Sequence, residues 1–520
     1  MDISVFEVVG PVMMGPSSSG TAGMYRLGAA ARQFFSGELQ AVDLKFTPRF
    51  SNGYLGCRSH FGLLGGILGM EITDGRMPRV VELCKERGIA VTSSLFRDPV
   101  PDHALTVEIT MENTDGMAYH VTGTSIGGGS IRLDKVEDFP VELSSVENHL
   151  FVFGTQADLT GVQAYAAGAK CSRAGDRALY YWPAKDDSLL AELKTKFERA
   201  VYTGAFLPVG YRPHMPLFTT FAGLADLAER SGRDTAELIL DYEVNRSGRS
   251  REAIWNQMAD QWQVMKRAAK TGLEQEIVPL YGYNDGRSGK KLMKATLEGR
   301  TLGGPTLGKA IATALATMEH SLALGTIVAA PTGGSAGIVP GTLLTVQQER
   351  GYSDEQMIRA LFVCCAPGIV MDYKGVSFSG SQGGCQAEVG VSSSMAAAGL
   401  VYLGGGNARQ VTMGAALAMK NILGLICDPL KGCDEVPCIK RNGIGVANAF
   451  SGADMALAGI DSFIPPDEVV DALLRTEQNM PLSMRGSTDV SCGACGTKTG
   501  LASWETTQKL AAGAILPIKE

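Results

Sequence analysis

The second half of the chain sets the tightest limit on its fold. From about residue 300 the sequence is rich in Ala and Gly, with few aromatics and few strand-like alternations. Side chains this small let helix backbones approach closely, so the stretch predicts a compact all-helical body. Its apolar runs, around 309–330 and 395–426, are broken by Glu319, His320, Asn407, Arg409 and Lys420. A bilayer would penalise those residues, so no membrane span and no membrane partner is expected. The helical character begins near residue 216. Asp234-Thr-Ala-Glu237 has the spacing of a capping box, and Leu238, Ile239 and Tyr242 follow at helical intervals.

The first 150 residues read differently. Leu105–Glu112 and Ala118–Thr124 show the period-2 alternation of half-buried strands, and Gly62–Met70 reads as a close-packed helix between strands. The expected fold class is therefore α+β: an N-terminal mixed α/β domain over 1–150, then a large all-helical domain over 216–520. Residues 151–215, with scattered charge and prolines at 183, 208 and 213 and another just past the end at 216, read as a linker or insertion. Charged residues make up 19% of the chain, below the usual share of about 25%, which predicts much buried helix. A net charge of −7 and no basic stripe argue against nucleic acid as a partner. The N-terminus lacks the pattern of a secretory signal, and eleven cysteines do not suggest a disulfide framework. A reducing cytoplasm is the expected location, and a homodimer the expected assembly on general grounds.

Three cysteines fall at predicted helix ends. Cys385 follows Gly383-Gly384, Cys427 precedes Asp428-Pro429, and Cys438 follows Pro437 and opens a helical run. Helix N-termini favour the thiolate that ligates metal. Buried structural thiols would look the same, and the spacing matches no compact ferredoxin pattern. On the residues alone both readings stand.

Four segments carry a resemblance. Pro331–Pro340, Ser379–Gly390, Cys427-Asp-Pro429 and Val436–Asn442 resemble the α-domain signatures of bacterial iron-sulfur-dependent L-serine dehydratases, and Gly15–Gly23 resembles the start of their β domain. The likeness runs over roughly 1–150 and 216–460, in the single-chain β-then-α order. It implies a [4Fe-4S] cluster on Cys385, Cys427 and Cys438, with one iron open to an amino-acid substrate. It also implies L-serine ammonia-lyase activity, giving pyruvate and ammonia without pyridoxal phosphate.

The same resemblance points to the other site residues. His60, in Cys57-Arg-Ser-His-Phe-Gly62, stands where the family carries a histidine and is the expected general base, although Ser59 and Phe61 replace the family's glycines; a packing or capping histidine is the other reading. His320 is expected in the core. Thr332, Gly333, Gly334 and Ser335 form a turn whose backbone could cradle a carboxylate, or simply a tight turn. Ser17, Ser18, Ser19 and Thr21 are the expected lip of the substrate site. Gly20 replaces a family histidine, which predicts a roomier pocket and a substrate larger than serine or otherwise β-substituted. Cys433 is expected to be a bystander, and Cys492 and Cys495 are candidates for a resting ligand of the open iron. The rival readings are a cluster lyase acting on L-cysteine, threonine or 3-hydroxyaspartate, and a non-catalytic amino-acid sensor. An electron-transfer protein normally gives every iron a protein ligand, and a pyridoxal-phosphate enzyme needs a Schiff-base lysine motif, which is not found.

Overall fold

Alternating side chains make strands in the N-terminal region. Thr106–Asn113 and Ala118–Gly127 pair antiparallel, with Val107 opposite Gly123 and Ile109 opposite Val121. The computed structural model describes residues 2–50, 56–143, 145–155, 158–166, 168–279, 281–430, 433–486, 496–502 and 518–519. Within these, the pair sits inside a seven-stranded sheet. Its order is Ile518–Lys519, Ala90–Leu95, Leu39–Phe46, Thr106–Asn113, Ala118–Gly127, Ser130–Val136, Phe139–Pro140. The first three strands run parallel and the remaining pairings are antiparallel. Two helices, Met24–Phe34 and Ser59–Ile67, share its core with Phe46, Val107 and Ile109. They cross backbone to backbone. A Cβ on Gly28 would lie 2.1 Å from the Leu63 carbonyl oxygen, and one on Gly66 would lie 2.2 Å from that of Tyr25.

The stretch read as a linker or insertion folds as a second sheet. Arg199–Thr203, His149–Thr155, Arg177–Pro183 and Lys170–Ala174 form four antiparallel strands in that order. Alternate residues serve two cores. Phe151, Phe153, Leu179 and Tyr181 pack into the first sheet's core, whereas Leu150, Val152, Ala178 and Trp182 pack with Val162 and Leu193 into a smaller one.

Beyond Phe221 the described chain is almost wholly helical. Asp234 caps Thr235–Ser247 by accepting from the Ala236 and Glu237 amides, and Asn407 caps Ala408–Lys420 within a capping box. The helix Val389–Leu403 is buried on every side from Val389 to Val401. Only its small side chains permit that. Likewise a Cβ on Gly272 would lie 2.1 Å from the Ala316 carbonyl oxygen, so Arg251–Glu274 and Gly304–Leu322 meet at their backbones. Asp354–Tyr373 is long and apolar enough to cross a membrane, but 78% of its apolar window is buried inside the fold.

The N-terminus is stitched into this helical body. Residues Ile3, Val5, Phe6, Val8 and Val9 belong to the helical core. The Val5 amide donates to Glu243 Oε2 at 3.0 Å, and Arg246 Nη1 donates to Glu243 Oε1 at 3.2 Å, with both side chains fully buried. Val12–Met14 then pairs antiparallel with Thr326–Val328. This ribbon brings the serine loop of one region to the turn at 332–335 of the other.

Two stability predictions follow from these contacts. Gly272→Ala forces two helices apart and lowers stability by about 1–3 kcal/mol, read as a lower urea midpoint. Gly75→Ala, with nothing within 4 Å of its Cβ, leaves the midpoint nearly unchanged; equal midpoints for the two would contradict the close-contact account. Burial also pushes the Glu243 carboxyl from its ordinary 4.5 up to about 7, with Arg246 and the Val5 amide pulling it back. The unfolded chain releases this proton near 4.5 and the folded one near 7. Between those values the folded state holds more protons, so stability falls as pH rises. Glu243→Gln makes that decline shallower, and a slope that did not change would place its origin elsewhere.

Candidate metal centre

Cys385, Cys427 and Cys438 reach one place from three separate elements. Cys385 opens the single 3-10 turn Cys385–Ala387, directly after Gly384 at φ 72°. Cys427 lies on non-helical chain, its amide donating to the Met484 carbonyl at 2.9 Å. Cys438 is the first residue of the helix Cys438–Leu457. The sulfurs of Cys385 and Cys427 and a carboxylate oxygen of Glu388 all lie within 4.8 Å of one another. Cys427 and Cys438 border a cavity of about 70 Å³. Its N-terminal wall includes Ser17, Ser19, Gly20 and Cys57, and its helical wall includes Gly334, Ser381, Glu388 and Asp434. Glycines make room for the donors: a Cβ on Gly380 would lie 2.5 Å from Glu388 Oε2, and one on Gly486 would lie 2.9 Å from Cys427 Sγ.

Burial and crowding hold the donor groups in their neutral forms. The Cys427 thiol is held well above its usual range, first by its hydrogen bond with Cys385 and then by burial. Burial raises Cys438 as well, helped by Asp434 and Cys385. Burial pushes the carboxyls of Glu388 and Asp434 up to about 7, and Glu388 adds to the effect on Asp434. One guanidinium answers them, with Arg441 Nη1 donating to Cys385 Sγ at 3.0 Å. Desolvated thiols crowded together resist ionisation until a metal supplies positive charge, and soft thiolates suit iron-sulfur chemistry. The three cysteines therefore fit a cluster on the chemistry of the donor set.

The two loops expected to hold substrate meet here. A Cβ on Gly333 would lie 2.5 Å from the Pro16 carbonyl oxygen and 3.0 Å from the Ser18 nitrogen. Ser18–Gly23 forms a short π-helix, a form frequent at functional sites, capped by Ser17 Oγ accepting from the Gly20 amide at 2.9 Å. Ser17 and Ser19 border the cavity; Ser18 is buried, and the Thr21 hydroxyl donates to the Cys57 carbonyl at 2.6 Å. In the other loop Gly334 borders the cavity, while Ser335 Oγ turns back to the Ala330 carbonyl at 3.1 Å and Thr332 bonds to Glu388. Asn442 joins this turn to the cysteine helix, its Nδ2 donating to the carbonyls of Gly334 and Cys438, each at 2.8 Å.

His60 follows the cavity-lining Cys57 by three residues, in the first turn of the next helix. It is fully buried on Ser59–Ile67, its ring edge-on to Phe61 at 4.5 Å between centroids, and is not among the described residues lining the cavity. His320 is half-buried near the end of Gly304–Leu322. Cys433 is buried and does not line the cavity either, while Cys492 and Cys495 lie outside the described residues. The expectation that Gly20 widens the pocket needs correction. A Cβ there would lie 2.5 Å from Cys57 Cβ and 2.8 Å from its Sγ, so Cys57 already fills the space.

Sequence reasoning passed over Cys57, Glu388, Asp434 and Arg441. Two of them had a signal. Glu388 follows Cys385 by three residues and Arg441 follows Cys438 by three, the spacing that puts side chains on one helical face. Cys57 and Asp434 had none, because their place depends on contacts between distant segments.

Comparison with known proteins places much of the chain in a family. Residues 230–491 match the family model of the serine dehydratase alpha chain. The probable L-serine dehydratase alpha chain of Bacillus subtilis is 40% identical over 299 residues, 58% of this chain and 97% of that one. The L-serine dehydratase alpha chain of Peptoniphilus asaccharolyticus is 36% identical over 284 residues, 55% of this chain and 96% of its own. A probable L-serine dehydratase alpha chain of Latilactobacillus sakei is 44% identical over 194 residues, 37% and 91% respectively. The matched residues 230–491 hold all three cysteines, Glu388, Asp434, Arg441 and the turn at 332–335. By that match, the chain belongs to the serine dehydratase alpha chain family.

Proposed function

We infer that this protein is an L-serine ammonia-lyase, converting L-serine to pyruvate and ammonia with a [4Fe-4S] cluster held by Cys385, Cys427 and Cys438. The observation that carries the reading is that Cys427 and Cys438 border one cavity with Ser17 and Ser19 of the serine loop, while the Cys385 sulfur lies within 4.8 Å of that of Cys427. When bound, the cluster supplies a Lewis-acidic iron that eases departure of the β-hydroxyl. The protein does the rest. The turn at Gly334 offers backbone to the substrate carboxylate, and the hydroxyls of Ser17 and Ser19 border the same space. A base takes the α-proton as the β C–O bond breaks, and the hydroxide leaves as water with a second proton. The resulting 2-aminoacrylate tautomerises to the imine, which takes up water and releases ammonia and pyruvate.

Two candidates compete for the α-proton. Glu388 and Asp434 stand in the cavity with carboxyls at about 7, suited to proton transfer near neutrality. His60, the expected base, is fully buried and is not among the described residues lining the cavity. Cys57 fills the space at Gly20, so the glycine there gives no room for a substrate bulkier than serine. The same reading keeps the protein in a reducing cytoplasm as a homodimer, which a monomer in light scattering would contradict.

The assay is pyruvate formation by anaerobically purified protein. L-serine should be turned over faster than L-threonine, L-cysteine or 3-hydroxyaspartate, with activity lost in air. Faster turnover of a bulkier substrate would shift the reading to another member of the same lyase class, and no turnover of any of them would favour a sensor. Glu388→Gln should lower kcat by roughly 10²–10⁴-fold and His60→Asn by much less. The reverse ranking would return the base role to His60.

A further inference from the structure

A third cysteine borders the cavity alongside Cys427 and Cys438, and it comes from the other region of the fold: Cys57. Its position is built by the serine loop. Thr21 Oγ1 donates to the Cys57 carbonyl at 2.6 Å, and Ser59 Oγ donates to the Gly20 carbonyl at 2.6 Å. These two bonds sew the segment 57–59 to residues 20–21. Gly20 then supplies the room. With a Cβ there falling 2.5 Å from Cys57 Cβ and 2.8 Å from Sγ, any other residue at 20 would push the thiol aside. Glycine at 20 and cysteine at 57 are thus one feature, and its result is a thiol held at a cavity that already gathers thiols.

We propose that Cys57 is the fourth protein ligand of the resting cluster, bound to the iron that Cys385, Cys427 and Cys438 leave open, and that substrate displaces it. This rests on the cluster reading above. Iron prefers a soft thiolate to water or to the serine hydroxyls nearby. On binding, an Fe–S bond forms as the Cys57 thiol releases its proton to solvent. On displacement that bond breaks, the substrate's oxygen takes the iron, and the thiolate recovers a proton. No electron moves in either direction. The arrangement protects the open iron between turnovers, and it ties the N-terminal wall of the cavity to the helical one.

The test compares anaerobically loaded wild type with Cys57→Ser and Cys57→Ala by Mössbauer spectroscopy, with and without L-serine. In the wild type without serine, all four irons should show sulfur-only coordination, and serine should convert one of them to mixed coordination. Both variants should show the mixed site before serine is added. Mild ferricyanide, which accepts one electron as one Fe²⁺ leaves, should yield the three-iron EPR signal several-fold faster in the variants. Gly20→Ala, which moves the same thiol without removing it, should behave like them and guards against a folding defect peculiar to position 57. Identical spectra and rates in wild type and variants, with a cluster present, would overturn the assignment of Cys57 and leave the three-cysteine cluster standing. No cluster in the loaded wild type would overturn both.

Discussion

At Gly333 the two regions of this protein meet backbone to backbone. Gly333 abuts Pro16 and Ser18 so closely that a Cβ would overlap the Pro16 carbonyl. The antiparallel pairing of Val12–Met14 with Thr326–Val328 fixes that approach, and Asn442 extends it to the first turn of the Cys438–Leu457 helix. A serine loop, a glycine turn and a cysteine helix are thereby locked into one frame. The same device recurs through the helical body, where Val389–Leu403 can be buried on every side because its residues are small. Close packing of this sort tolerates little added volume, which is what a site assembled from distant segments requires.

Within that frame the electrostatics are lopsided. Thiols and the carboxyls of Glu388 and Asp434 crowd one cavity, and beside them Arg441 donates to Cys385 Sγ. Burial and mutual repulsion keep Cys427, Cys438, Glu388 and Asp434 protonated well beyond their usual ranges. Without a bound cation these groups stay neutral, since burial disfavours their charged forms. A bound cation would let the thiols ionise together. Structure and chemistry are linked here by desolvation.

Much of this was legible in the sequence. The alternation of Thr106–Asn113 and Ala118–Gly127 gave strands, the Ala- and Gly-rich stretch gave helices, and Asp234, Asn407 and Cys438 sit where capping logic put them. What escaped depended on pairs distant in sequence. Leu150, Phe151, Val152 and Phe153 are all buried because their strand lies between two cores, so the period-2 signal that marks a half-buried strand is missing. The consequence of Gly20 could not be read without knowing that Cys57 lies against it. At His60 the left-handed turn at Arg58, φ 54°, leads into a helix on which the ring is fully buried against Phe61, a setting the local likeness could not supply.

The account stands or falls on what the three converging thiols hold. A crystal structure of anaerobically loaded protein, with anomalous diffraction measured on either side of the iron edge, reads this directly. The prediction is a compact iron-sulfur density within bonding distance of Cys385, Cys427 and Cys438, facing the serine loop. Iron bound elsewhere, or thiols in these positions with no iron beside them, would contradict it.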